Sequence, residues 1–205
     1  MKTVGFKKFG DPEVLEVMEF PDNEIGSEDI KIKNYASAVN PTDIVSRSGL
    51  IKHFIKDFSL PCVPGMDFAG IVEEVGENVE TGIKVGDSVM GMVMPNGIHG
   101  AYSNQLILNQ FAVVKIPKNT SFIEAATLPM NGLTARLSLD LLNLKKGQTI
   151  AVTGGPGAYG GYVIQLAKAD GLIVIADSNE SDLKLLKDLG ADHIIPRGKN
   201  FVKEI

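Results

Sequence analysis

The segment Ala151 to Lys168, AVTGGPGAYGGYVIQLAK, places a cluster of glycines between an apolar strand pattern and an apolar helix pattern. Gly154, Gly157 and Gly160 follow the spacing GxxGxxG. Glycine permits a sharp turn and a close approach of the backbone, and the start of a helix carries partial positive charge. A strand, a glycine turn and a helix in this order predict a βαβ unit of a parallel sheet.

The same turn has the composition of a dinucleotide-binding loop. Asp177 ends the next apolar strand, where a carboxylate can accept hydrogen bonds from a ribose diol. The alternative for Asp177 is a cap on the helix that begins near Glu180, and a glycine cluster by itself also simply makes turns. We favour dinucleotide binding because the glycine turn and the carboxylate occur together.

The chain divides into two halves with different patterns. From Met1 to about Pro117, short alternating apolar segments are separated by Gly, Pro, Asn and Asp, which predicts an antiparallel, barrel-like β unit. Beyond Pro117, helix and strand patterns alternate, which predicts βαβ units and a parallel sheet. We therefore predict domains over residues 1–118 and 119–205. With only three strands in the second domain, its first strand is expected to have a bare edge.

Composition excludes several classes of protein. The 205 residues carry a net charge of −5, with a pI near 5.2, whereas a nucleic-acid surface needs clustered Lys and Arg. The single cysteine, Cys62, cannot form an internal disulfide, which fits a reducing compartment. No apolar run approaches the roughly 18 residues needed to span a bilayer, and the first residues lack an export signal. We expect a cytoplasmic protein that binds a small molecule, with no nucleic-acid or membrane partner.

Five motifs occur in a characteristic order along the chain: AVNPTDIVSRSG, PGMDFAGIVEEVG, GIKVGDSVMG, AATLPMNGLTA and GGPGAYGGYVIQLAK. On these motifs, nearly the whole chain resembles the medium-chain dehydrogenase/reductase superfamily, specifically its zinc-free quinone oxidoreductase branch. The resemblance implies a GroES-like β-barrel catalytic domain followed by a Rossmann domain. It also implies hydride transfer between NAD(P)H and a quinone or enone, and a possible homodimer. Two alternatives stay open: an enoyl-thioester reductase on the same scaffold, and a non-catalytic dinucleotide-binding protein.

The resemblance assigns site residues by position. Asn40 matches the position that faces the nicotinamide and is the expected catalytic residue, while Thr127 and Thr134 fall where relatives approach the nicotinamide or the phosphates. The remaining expected cofactor-binding residues are Gly154, Gly155, Pro156, Gly157, Ala158, Tyr159, Gly160, Asp177 and Ser178.

Local roles compete with these assignments. Asn40 or Thr42 could cap a short helix, on which Asp43 and Arg47 would form an exposed ion pair. Both threonines of the expected site could bond back to their own helices. The ring of Tyr159 could pack under the loop or reach a ribose.

Zinc is not expected. Zinc-dependent relatives place a cysteine near Asn40 and a His-Glu pair after the glycine that corresponds to Gly65, where this chain has Met66 and Asp67. A catalytic zinc site needs three converging N, S or O ligands, which Asp67 alone cannot provide. The four-cysteine lobe of those relatives is also missing. The three histidines are scattered along the chain, at His53, His99 and His193.

The cofactor choice depends on charge. A carboxylate at Asp177 would repel the 2′-phosphate of NADPH by on the order of a kcal/mol or more, unless a cation intervenes. The cations that follow are Lys184, inside a helix, and then Arg197 and Lys199. The residues thus narrowly favour NADH, whereas the resemblance favours NADPH.

Two features separate this chain from the relatives that it resembles. Val45 and Ile51 stand near positions where bacterial quinone reductases of the family carry pocket tyrosines, so the acceptor is more apolar or the activity differs. Members of the family also continue beyond the point where this sequence ends and supply the second half of the parallel sheet. We therefore expect these residues to be a fragment of a longer reductase.

Overall fold

The computed structural model describes residues 1–50, 52 and 58–198. Three residues named above lie outside the described residues: Ile51, His53 and Lys199. The chain forms two compact units, Met1–Met130 and Asn131–Ile205. The division falls later than residue 118 because the short helix after that residue packs with the first unit: Ala125 and Ala126 are buried against Ala69.

The first unit is built on antiparallel strands. Its strands are β1 (Lys2–Gly5), β2 (Glu16–Glu19), β3 (Asp29–Ser37), β4 (Asp67–Val75), β5 (Ser88–Met92), β6 (Gln105–Asn109) and β7 (Val113–Lys115). β1 pairs with β2, and the other five form a sheet in the order β6-β3-β4-β5-β7. Its helices are α1 (Pro41–Ser48) and α2 (Phe122–Ala125), with single 3-10 turns at Pro12–Val14 and Gln110–Ala112.

Alternation along the strands places the core of this unit. Ile30 and Ile32 on β3 are fully buried, and they pack with Phe68 and Val72 of the neighbouring β4. Such residues at every second position face one side of a sheet, which is the pattern that predicted antiparallel strands here.

A glycine turn next to β4 depends on the absence of a side chain. Gly65 has a φ of 94°, and an added Cβ would lie 2.4 Å from Cδ1 of Tyr102. Left-handed backbone disfavours any residue with a Cβ, and here the space is also filled. The turn thus allows the Tyr102 ring to pack directly on the main chain.

The second unit contains a parallel sheet. Its strands are β8 (Thr149–Val152), β9 (Ile173–Ser178) and β10 (His193–Pro196), in the order β10-β9-β8. The helices are α3 (Pro129–Leu142), which begins at the end of the first unit, α4 (Ala158–Ala169) and α5 (Leu183–Leu189), preceded by a 3-10 turn at Glu180–Asp182. Among the described residues, β8 pairs on one side only, as the strand count predicts.

The core of the second unit lies between the sheet and its helices. Val174 and Ala176 of β9 pack with Ile164 of α4 and Leu186 of α5, and all four are fully buried. In the part of the chain that the structure describes, no helix has the length and apolar character required to cross a membrane.

We predict that Gly65→Ala destabilises the first unit more than Gly82→Ala does. Both glycines have positive φ, but an added Cβ at Gly82 meets nothing within 4 Å. The Gly82 variant should lose about 1 kcal/mol from backbone strain alone, and the Gly65 variant about 2 kcal/mol more. Urea unfolding of the two variants measures the difference, and equal losses would contradict a steric role for Tyr102.

Candidate functional site

Asn40 lies at the start of α1 and is held by buried hydrogen bonds. It is 5% exposed, and its side-chain Nδ2 donates to Oδ2 of Asp67 at 2.7 Å. Asn40 occupies the N-cap position, and the side chain of Asp43 bonds to the backbone there, since its Oδ2 accepts from the Asn40 amide at 2.8 Å. Asn40 and Asp43 thus form a capping box at the start of α1, while the amide nitrogen of the Asn40 side chain is held by Asp67.

Asp43 is the second member of this cluster. It is 6% exposed, and it accepts hydrogen bonds from the amide of Gly65 at 2.9 Å and from the hydroxyl of Tyr102 at 3.2 Å. The expected ion pair between Asp43 and Arg47 is wrong, because the Arg47 guanidinium donates to the carbonyl of Gly10. Burial, followed by the charge of Asp43, raises the pKa of Tyr102, so its hydroxyl keeps its proton and acts as a donor.

Asp67 completes the cluster at the first residue of β4. It is 1% exposed, and its Oδ1 accepts from the amide of Met130 at 2.6 Å. Burial raises the pKa of Asp67, although the hydrogen bonds from Met130 and Asn40 oppose this shift. The sequence suggests for Asp67 only the role of a metal ligand, which it cannot fill alone, and it predicts no role for Tyr102. The signal for Asp67 was a carboxylate at the start of the strongly apolar segment DFAGIV.

The Asn40 cluster, as we call Asn40, Asp43, Asp67 and Tyr102, presents its carboxylates to hydrogen-bond donors. Within residues 1–50, 52 and 58–198, no group of three or more His, Cys, Asp or Glu side chains is arranged to hold a metal ion.

The glycine turn of the second unit joins β8 to α4. Gly154 has a φ of 69°, and Gly157 is the N-cap residue of α4. A Cβ on Gly160 would lie 2.3 Å from the carbonyl oxygen of Gly154, so only glycine lets the helix approach the loop this closely. The leading amides of a helix have no partner within it and can bind an anion, and here α4 begins at Ala158. Pro156 offers no such amide.

Asp177 supports this loop from the end of β9. Its Oδ1 accepts from the amides of Gly154 at 2.7 Å and Gly155 at 3.3 Å. The guanidinium of Arg197 donates through Nε to Oδ2 at 3.1 Å and through Nη2 to Oδ1 at 3.4 Å. Burial opposes ionisation, but the bonds from Arg197 and the loop amides hold the pKa of Asp177 below its usual value. Asp177 is thus an ionised carboxylate that binds the loop rather than a helix cap.

The other expected cofactor residues make local contacts. Ser178 is buried, and its hydroxyl donates to the carbonyl of Asn179 at 2.6 Å. The hydroxyl of Tyr159 donates to Oγ of Ser138 at 2.8 Å, so its polar end contacts α3. Ser138 in turn donates to the carbonyl of Thr134 at 2.8 Å.

Thr127 makes the bond that its local alternative predicts, because its hydroxyl donates to the carbonyl of Glu124 at 2.8 Å. The expected roles of Thr127 and Thr134 toward a cofactor stay predictions.

Comparison with known proteins agrees with this architecture. Residues 26–118 match the alcohol dehydrogenase GroES-like domain. Over its full length the chain is 36% identical to a 2-methylene-furan-3-one reductase of Solanum lycopersicum, of which it covers 54%. It is 32% identical, also over its full length, to a chloroplastic NADPH-dependent alkenal/one oxidoreductase of Arabidopsis thaliana, of which it again covers 54%. The chain thus spans about half the length of the curated relatives it matches.

A solved structure shows the same fold. The quinone oxidoreductase of Escherichia coli, crystallised with NADPH, has a TM-score of 0.82 and 29% identity, and the match covers all of this chain and 61% of that one. The expected GroES-like domain and partial Rossmann-like parallel sheet are therefore confirmed. A GroES-like domain followed by a partial Rossmann-like parallel sheet is the architecture that the chain shares with this oxidoreductase structure. The chain belongs to the medium-chain dehydrogenase/reductase superfamily.

We predict that Gly160→Ala weakens dinucleotide binding by about tenfold or more, because its Cβ must displace the Gly154 carbonyl. Gly161→Ala is the matched control, since its Cβ would meet only Cδ1 of Leu189, at 3.5 Å. Removing that helical glycine should stabilise the unit by about 0.5–1 kcal/mol. Titration with NADH and NADPH by nicotinamide fluorescence tests both variants. Equal affinities would show that the close approach does not shape the loop.

Asp67 should make stability fall as the pH rises. Its raised folded-state pKa means that the folded protein holds a proton that the unfolded chain releases above roughly pH 4. The loss of folding stability that comes from ionising the buried Asp67 is absent at lower pH and complete above the pKa of Asp67 in the folded protein. Asp67→Asn should flatten this part of the profile, whereas Glu73→Gln, on the exposed face of the same strand, should leave it unchanged. Urea unfolding across pH 3 to 8 measures both, and an unchanged profile in Asp67→Asn would refute the assignment.

Proposed function

We propose that the chain belongs to a zinc-independent NAD(P)H oxidoreductase that reduces a quinone or another conjugated carbonyl compound. The observation that carries the proposal is the loop from Gly154 to Gly160, which Asp177 holds at the start of α4. When bound, the nicotinamide supplies the hydride. The protein's own residues bind the cofactor, orient it and hold the acceptor.

The loop fits a pyrophosphate. An added Cβ on Gly154 would meet nothing within 4 Å, so the outer side of the turn is open to a ligand. The amides of Gly154 and Gly155 already bond to Asp177, which leaves the leading amides of α4, at Ala158 and Tyr159, for the phosphate oxygens.

The chemistry of the Asn40 cluster supports zinc independence. Asp67 accepts from an amide side chain on one oxygen and a backbone amide on the other, and Asp43 accepts from two backbone amides and a phenol. Zinc needs three converging N, S or O ligands with free lone pairs. A donor-rich cluster instead suits the positioning of Asn40, whose amide would contact the cofactor or the acceptor.

A cavity in the first unit supports an apolar acceptor. It has a volume of about 220 Å³ and lies beside α1, with mostly apolar walls and the polar groups of Asp43 and Tyr102. Its other lining residues are Pro12, Leu15, Val39, Ile44, Arg47 and Pro64. A flat conjugated carbonyl compound matches such walls better than a charged metabolite does.

We also propose a cytoplasmic location. Cys62 is the only cysteine of the chain and is fully buried, and burial raises the pKa of its thiol to about 11. A neutral, enclosed thiol is a structural group that needs no oxidising compartment.

The first experiment combines binding and turnover. The purified chain is titrated with NADH and NADPH by fluorescence and then assayed with a quinone, an α,β-unsaturated ketone and an enoyl thioester. We expect dinucleotide binding and turnover of the first two acceptors. Asn40→Ala should lower turnover by about tenfold or more with little change in dinucleotide affinity, while Asn23→Ala, at an exposed position, should change neither.

The outcomes distinguish the alternatives. Turnover of the thioester alone would replace the proposed acceptor with an enoyl-thioester. Binding without turnover of any acceptor would favour a non-catalytic dinucleotide-binding protein. Absence of binding by either nucleotide would overturn the proposal for this chain.

A further inference from the structure

Arg197 occupies a defined position at the carboxyl end of the parallel sheet. It follows β10 directly, and its amide donates to the carbonyl of Ser178 at 2.9 Å, which continues the pairing of β10 with β9. The main chain thus brings Arg197 beside Asp177, with which it forms two hydrogen bonds. Backbone pairing and side-chain bonding both fix the guanidinium next to the carboxylate.

The two partners differ in their exposure to solvent. The side chain of Asp177 is 10% exposed, whereas that of Arg197 is 43% exposed. Among the residues that the structure describes, the guanidinium bonds only to Asp177, through Nε and Nη2. Guanidinium carries further N–H donors on both terminal nitrogens, in a planar fork that matches phosphate oxygens. A ligand at this edge of the sheet therefore contacts the exposed guanidinium of Arg197 rather than the buried carboxylate of Asp177.

Asp177 is poorly placed to bind a ribose diol. Its Oδ1 accepts from two loop amides and from Arg197, and its Oδ2 accepts from Arg197. A diol would have to compete with these donors. The positive charge of Arg197 also offsets the negative charge of Asp177, which would otherwise repel a 2′-phosphate. The sequence favoured NADH only if no cation lies beside Asp177, and Arg197 is such a cation.

We propose that Arg197 binds the 2′-phosphate of NADPH and makes this chain select the 2′-phosphorylated dinucleotide. Asp177 acts as a positioning residue, because its carboxylate bonds both to the Arg197 guanidinium and to the amides of the glycine loop. The inference rests on the proposed function and deepens it, since it names the residue that discriminates between the two cofactors.

The test compares two fragments of the cofactors. The dissociation constants of adenosine 2′,5′-bisphosphate and adenosine 5′-monophosphate are measured by calorimetry on the purified chain. The unmodified protein should prefer the bisphosphate by about tenfold or more, as expected for a charge-assisted contact. Arg197→Gln should abolish this preference, and Arg197→Lys should retain part of it because the charge remains.

Lys184→Gln is the matched control. Lys184 is a similarly charged residue on α5, 88% exposed and paired with Asp188 at 2.6 Å. Its replacement removes the same charge from the unit and should leave the ratio of the two constants unchanged.

Asp177→Asn provides an independent variant in case Arg197→Gln does not fold, which circular dichroism detects. Asparagine has one side-chain oxygen and cannot accept both bonds from Arg197, so the preference for the bisphosphate should fall. An unchanged preference would contradict the positioning role of Asp177.

Three results would overturn the inference. Equal binding of the two nucleotides by the unmodified protein would do so, as would an unchanged preference in Arg197→Gln or an equal loss of both nucleotides in that variant. In each of these cases the unmodified protein still binds nucleotide, so the proposed function is not contradicted. Failure of the unmodified protein to bind either nucleotide would overturn both.

Discussion

Both candidate sites depend on three buried carboxylates. Each carboxylate accepts hydrogen bonds from backbone amides that do not bond to a neighbouring strand. Asp43 binds the amides of Asn40 and Gly65, Asp67 binds the amide of Met130, and Asp177 binds those of Gly154 and Gly155. A buried amide without a partner costs free energy comparable to a lost hydrogen bond. Each carboxylate therefore holds a turn in one conformation, and the turns carry the residues to which we assign function.

The carboxylates differ in their electrostatics. Asp67 is enclosed with no cation among its bonding partners, so burial raises its pKa. Asp177 has Arg197 beside it, and its pKa is lowered. This difference separates their roles: Asp67 positions a neutral amide in the first unit, whereas Asp177 and Arg197 form an ion pair whose cation faces solvent.

The matches with the relatives extend over the parts of the chain that hold these clusters. Both matches extend over the full length of this chain at about one-third identity, and the chain covers 54% of the Solanum lycopersicum reductase and 54% of the Arabidopsis thaliana oxidoreductase. The part that is shared contains the GroES-like domain and the glycine loop. Both proposals, on the acceptor and on the cofactor, therefore concern residues that lie within this chain.

The sequence by itself determined the two-unit architecture, the antiparallel and parallel sheets and the glycine loop with Asp177, because periodic apolar patterns and glycine spacing are local signals. It also singled out Asn40, whose catalytic role stays a prediction. Only the tertiary structure decided the partners: Asn40 with Asp67, Tyr102 with Asp43 and Arg197 with Asp177 are separated by 27, 59 and 20 residues. Local patterns cannot encode which of many charged side chains will meet after folding. For that reason the local alternative of an ion pair between Asp43 and Arg47, four residues apart, was wrong. The contact of Arg197 with Asp177, to which we assign the choice of cofactor, follows from the pairing of β9 with β10.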